Sequence, residues 1–253
     1  MVLRDELVTY LDEYLAVREV RDHGPNGLQV EGRPEIRRVA LGVTVSLALI
    51  DAAVRWDADA ILVHHGLFWR GQGEMRVVRS MRHRLKRLLE HDLSLLAYHL
   101  PLDRHPDVGN NAVFARALGA TVVEPAFEHE GLPIGVVARL PAPVAAGDLF
   151  QRIAAVTGRD PLVIAEGRPS VTSLGVVTGG APRFVEEALA RDLDAFVTGE
   201  AAEPAVHLAR EEGIHFVAAG HHATERFGVQ ALGAHLGERF GVEVRFFEIS
   251  NPV

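Results

Sequence analysis

The chain has 253 residues, 48% of them hydrophobic and 24% charged, which suits a globular protein of one large or two small domains. Its formal net charge of −8 disfavours a general nucleic-acid surface, because phosphate binding needs clustered positive charge. Cysteine is absent, which excludes disulfides, thiolate catalysis and zinc-finger folding.

Leu3, Leu7, Leu11, Tyr14 and Leu15 recur at helical spacing and predict an opening amphipathic helix, broken by His23-Gly24-Pro25-Asn26-Gly27. A strand over 38–43 and a helix over 46–56 follow. The apolar run Ala60-Ile61-Leu62-Val63-His64-His65 reads as a buried strand closed by Gly66. A helix over 80–90, a strand over 94–99 and a helix over 111–118 come next. This alternation predicts a mainly parallel sheet flanked by helices. The turn-rich stretch 124–133 reads as a linker. Beyond it lie strand 134–140, helix 145–156, strand 171–177, helix 183–191, strand 195–198, helix 204–212, strand 215–219 and a β-type run over 242–249. The expected fold is α/β with two domains, residues 1–125 plus 230–253 and residues 126–229, the last strand returning to the first domain.

Acids stand early at the N-terminus, with no apolar core of signal-peptide length. The most apolar stretch, 41–54, is interrupted by Thr44, Ser46 and Asp51 and falls short of the ~20 apolar residues that cross a bilayer. A cytoplasmic, soluble protein with no membrane partner is expected.

His64 and His65 carry the chemistry. Ligands bind beyond the carboxyl ends of strands in α/β sheets, and neutral imidazole is the commonest metal ligand. Adjacent strand residues point to opposite faces, so two neighbouring histidines suggest two metals, one each. Other strand ends supply partners. Asp103 follows the strand ending at His99, and His221 with Glu225 follows the break at Gly220, four residues apart and so on one helical face. This imidazole and carboxylate set suits Zn, Mn, Fe, Co or Ni. His64, His65 and Asp103 come from the first half and His221 and Glu225 from the second, so the site is expected in the interdomain cleft. His99 is open to three readings: a sixth ligand, a group orienting a ligating carboxylate, or a proton carrier. His222 reads as solvent- or substrate-facing. The turns Thr178-Gly179-Gly180-Ala181 and Thr198-Gly199-Glu200 could present amides to phosphate, but a glycine needed for a tight turn is the simpler reading.

The segments Val63-His64-His65-Gly66, Tyr98-His99-Leu100-Pro101-Leu102-Asp103, Thr178-Gly179-Gly180-Ala181 and Gly220-His221-His222-Ala223-Thr224-Glu225-Arg226 together resemble one family. Asp22-His23-Gly24-Pro25-Asn26-Gly27-Leu28-Gln29-Val30 and the ending Ile249-Ser250-Asn251-Pro252-Val253 resemble it too. It is the Nif-three-like dinuclear-metal-centre family, whose bacterial members carry the label GTP cyclohydrolase I type 2 homologue. The resemblance implies metal ligands at His64, His65, Asp103, His221 and Glu225, two divalent ions per chain, and a homohexamer built as a trimer of dimers. It implies hydrolysis of a purine nucleotide, with water activated by the metals attacking C8 and His99 or His222 donating a proton to the departing nitrogen. Two other readings stay open: a metal-dependent phosphoesterase or nucleotidase, and a non-catalytic metal-binding assembly or regulatory module.

Overall fold

A computed structural model describes residues 1–71 and 76–253. The chain forms two compact units, Met1–Leu102 with Val229–Ser250 and Asp103–Gly228 with Asn251–Val253. The first holds strands β1 (Val2–Leu3), β2 (Gly27–Val30), β3 (Glu35–Ile36), β4 (Arg38–Thr44), β5 (Ala60–His65) and β6 (Ser94–Ala97). The second holds β7 (Thr121–His129), β8 (Leu132–Ala145), β9 (Leu162–Ala165), β10 (Ser170–Val177), β11 (Ala195–Thr198) and β12 (His215–Ala218). Strand β13 (Glu243–Phe246) belongs to the first unit again.

In the first unit the main sheet runs β13-β4-β5-β6-β2. Strands β13, β4, β5 and β6 are parallel and β2 is antiparallel to β6. Ala60, Ile61, Leu62 and Val63 of β5 are fully buried, as an apolar run without alternation requires. The helix Leu47–Arg55 begins where the Ser46 hydroxyl accepts from Leu49 N at 3.2 Å, a side-chain cap for an otherwise orphaned amide. Its Leu49, Ile50 and Ala53 pack into one core with Ala40, Ile61, Val63 and Leu95.

The second unit has a mixed sheet, β7-β8-β10-β11-β12-β9. Strands β10, β11 and β12 are parallel, and β7, β8 and β9 add antiparallel pairs. Its core gathers Phe114, Leu149, Ile153, Leu174, Val176, Val197 and Val217. The stretch 124–133, read as a linker, is instead the hairpin of β7 and β8. Proline reads as a breaker, but β7 is an edge strand, where the amides facing away from its one neighbour carry no ladder bond. A register shift between Val122 and Glu124 adjusts the strand just before Pro125.

Both units are thus α/β with mixed sheets that retain a parallel centre. Among the described residues, no helix is long and apolar enough to cross a membrane.

Candidate metal centre

In the first unit, the ends of β5 and β6 gather three imidazoles. His64, His65 and His99 each offer a ring nitrogen, and these atoms lie within 4.8 Å of one another. His64 is fully buried. Its Nδ1 lies 2.9 Å from Tyr98 O. A carbonyl only accepts, so Nδ1 carries the proton and Nε2 keeps the lone pair that a metal needs. His65 Nδ1 meets Thr44 Oγ1 at 2.9 Å.

His99 is set by a residue that the strand-end pattern did not single out. Asp22 Oδ1 lies 2.7 Å from His99 Nδ1. Asp22 also accepts from His23 N, from Asn26 Nδ2 and from Leu100 N. Burial pushes a carboxyl group upward, but His99, Asn26 and the His23 amide outweigh it, and Asp22 is lowered to about 2. The ionised carboxylate accepts the Nδ1 proton of His99. The His23-Gly24-Pro25-Asn26 break is therefore a built loop wrapped around Asp22.

In the second unit, two carboxylates and one imidazole converge. A carboxylate oxygen of Asp103 and one of Glu225 lie within 4.8 Å of each other. Glu225 Oε2 is 3.1 Å from His221 Nε2, and His221 Nδ1 is 2.6 Å from Glu200 Oε1. Asp103 is 7% exposed and Glu225 3% exposed. Burial alone would disfavour a charged His221, but Glu225 and then Glu200 hold its proton and raise it to about 9. Two buried carboxylates this close repel each other, and positive charge offsets that cost. The donor set is imidazole nitrogen and carboxylate oxygen, the chemistry of Zn, Mn, Fe, Co or Ni sites, so these residues fit a divalent ion.

The supports of these carboxylates are polar and buried. Asn110 donates to Asp103 Oδ1 at 2.9 Å and accepts from Gly228 N at 2.6 Å. Asn111 donates to Asp103 O and Ile134 O and accepts from Thr178 N. Two adjacent asparagines opening a helix, both almost wholly buried, were the available signal for this role. Gly179 explains the Thr178-Gly179-Gly180 turn. Its φ is 70°, and a Cβ built on it would fall 2.1 Å from Glu225 Oε1. The glycine is thus needed for close approach to the carboxylate as well as for the turn. His222 is buried, and its amide donates to Val253 O at 3.0 Å.

Residues 2–252 match the profile of the Duf34/NIF3 (NGG1p interacting factor 3) family. The GTP cyclohydrolase 1 type 2 homolog of Pseudomonas aeruginosa is 50% identical over 246 residues, 97% of each chain. The protein of the same name from Escherichia coli K12 is 45% identical over 249 residues, 98% of each chain. Among solved structures, the protein ybgI, described as of unknown function, has a TM-score of 0.94 and 44% identity, covering 100% of both chains. TTHA1606 from Thermus thermophilus has a TM-score of 0.90 and 36% identity, again over 100% of both chains. With the histidine cluster, the buried carboxylates and a match over nearly all of its length, this chain belongs to the DUF34/NIF3 family.

Proposed function

We propose that the protein is a cytoplasmic hydrolase that uses two divalent metal ions, with a purine nucleotide as its substrate, the substrate class that the name of its relatives, GTP cyclohydrolase 1 type 2 homolog, suggests. The observation that carries this reading is the convergence of buried Asp103 and Glu225 with His221. The three imidazoles of the first unit add to it. In the proposed assignment His64 and Asp103 would hold one ion, His65 and His221 the other, and Glu225 would serve both. Such a pair supplies Lewis acidity and a water nucleophile usable near neutral pH.

The chain's own residues do the rest. Tyr98 O fixes the His64 tautomer, Asn110 holds Asp103, and Asp22 holds His99. In a cyclohydrolase-like reaction a first water would add at C8 and one C8–N bond break, opening the imidazole ring to a formamide, and a second water would cleave the remaining C8–N bond, releasing formate and leaving the free amine. His99, oriented by ionised Asp22, is placed to donate a proton to the departing nitrogen, with His222 as the other candidate. The proposal includes a homohexamer, a trimer of dimers. Light scattering at micromolar concentration tests it, and a monomer mass counts against it.

Metal analysis of untreated protein, followed by a nucleotide panel with that metal restored, tests the activity. Formate released from GTP is the expected result. Phosphate release instead points to a phosphoesterase, and release of neither points to a metal-binding module without catalysis.

A further inference from the structure

The histidine cluster has an aromatic neighbour outside the ligand set. The Trp69 ring centroid is 5.1 Å from that of His99, edge to face, and 5.8 Å from that of His65. The indole N–H donates to Gly66 O at 3.1 Å, and Arg70 N donates to His23 O at 2.6 Å, so the dipeptide is anchored at both ends. Trp69, Phe68 and Pro25 line two cavities. The inner one also includes His64 and His99. The outer one, an open surface recess of about 320 Å³, is completed by Arg70. That volume lies in the range of small-ligand sites. Among the described residues its walls are ring and alkyl surface, and its single charge is the Arg70 guanidinium.

We propose that Trp69 and Arg70 form a base subsite, with Trp69 stacking on the purine and Arg70 donating to the acceptor edge of the ring. A flat ring with an electron-rich carbonyl edge matches both groups. This rests on the nucleotide reading above. Trp56, the other of the two tryptophans, is partly buried against the core of its unit and packs on Phe247. Zinc-loaded Trp56→Phe protein therefore reports on Trp69 alone. GTP is expected to quench its fluorescence saturably, and inorganic tripolyphosphate, which chelates metal similarly, is not. By calorimetry, Trp69→Leu in the wild-type background is expected to weaken GTP binding about tenfold or more. Equal responses to GTP and tripolyphosphate, no quenching by either, or unchanged GTP affinity in Trp69→Leu would overturn the subsite. Turnover without quenching counts against the subsite and leaves the hydrolase reading standing. Quenching without turnover supports the subsite and counts against that reading.

The two units also carry one pattern twice. Residues 31–66 and 166–201 align without a gap, each opening on Glu-Gly-Arg-Pro. Arg33 pairs with Asp59 at 3.0 Å, and Arg168 with Asp194 at 3.0 Å. Asp59 Oδ2 accepts from Arg37 N and Arg38 N, and Asp194 Oδ2 accepts from the aligned Thr172 N and Ser173 N. The aligned Asp57 and Asp192 both adopt positive φ, 57° and 50°. Strands β2, β4, β5 and β6 share order and sense with β9, β10, β11 and β12. In this alignment His65 corresponds to Glu200.

We infer that Glu200 is a positioning residue of the site, the second unit's counterpart of His65. Its carboxylate, 2.6 Å from His221 Nδ1, accepts that proton and aims the other ring nitrogen, Nε2, at the ion. Cobalt(II) titration of Glu200→Ala and Glu200→Gln tests this, by calorimetry and by the visible spectrum of the bound ion. Glu200→Ala is expected to lose about 10–100-fold in affinity and to change the spectrum, with far-UV circular dichroism unchanged. Glu200→Gln still offers an acceptor and is expected to recover most of the affinity. Wild-type affinity in Glu200→Ala, or Gln no better than Ala, would overturn the inference. Wild-type protein that takes up no cobalt would overturn the metal reading itself and this inference with it.

Discussion

Asp22 Oδ1 lies 2.7 Å from His99 Nδ1, joining residues 77 positions apart. The same carboxylate caps the His23 and Leu100 amides, so one buried side chain sets both the loop and the imidazole. Asp22→Asn is expected to lower turnover of the metal-loaded protein about 100-fold with zinc affinity near wild type, because the proton-donating imidazole loses its anionic acceptor. It is also expected to cost about 1–3 kcal/mol in a denaturant titration, since a buried donor is left poorly matched. Turnover equal to wild type would remove Asp22 from that role.

Gly179 packs against the Glu225 carboxylate with no room for a side chain. Gly179→Ala meets two penalties: the left-handed φ of 70°, and the collision of the new Cβ with Glu225 Oε1. The backbone penalty alone is about 1–2 kcal/mol. Thermal unfolding is expected to show at least that loss, and elemental analysis to show reduced metal content.

Glu225 is proposed to bridge the two ions. Glu225→Gln keeps the shape and removes the charge, so the occupancy of both ions is expected to fall. His64→Ala is expected mainly to empty one. Equilibrium dialysis at neutral pH separates these outcomes, and two tightly held ions in Glu225→Gln would take it out of the bridging role.

Asp194 supplies an acid-sensitive element far from the ligands. Burial would raise its carboxyl, but the Thr172 and Ser173 amides, the Ser173 hydroxyl and Arg168 outweigh this and lower it. A carboxylate whose folded value lies below its unfolded one stabilises fully above the unfolded value, about 3.9. That stability is lost as pH falls through the folded value. Asp194→Asn is expected to be about 1–3 kcal/mol less stable than wild type at pH 7. Urea unfolding across pH should show the gap shrinking only below about pH 4. A gap independent of pH would mean that the ionised carboxylate is not the cause.

Much of the fold was legible in the sequence. The run Ala60–Val63 announced a buried strand, Gly66 marked the break just after His64 and His65, and Gly220 the break just before His221. Apolar runs, helical periods and breaker residues act over a few neighbours, so a linear reading captures them. Even the repeated Glu-Gly-Arg-Pro is visible as letters. Its meaning came from the structure, where Asp59 and Asp194 each bind two backbone amides and an arginine in the same register. The edge hairpin at 121–145 escaped the sequence reading because Pro125 is a breaker only where its missing amide would have been bonded. Asp22 beside His99, Asn110 holding Asp103, Glu200 on His221 and Gly179 against Glu225 were decided by tertiary structure. Each is a contact a few ångströms long between residues far apart in the chain or on different turns. A polar side chain there matches any surface residue by composition, and only burial makes its hydrogen-bond partners obligatory.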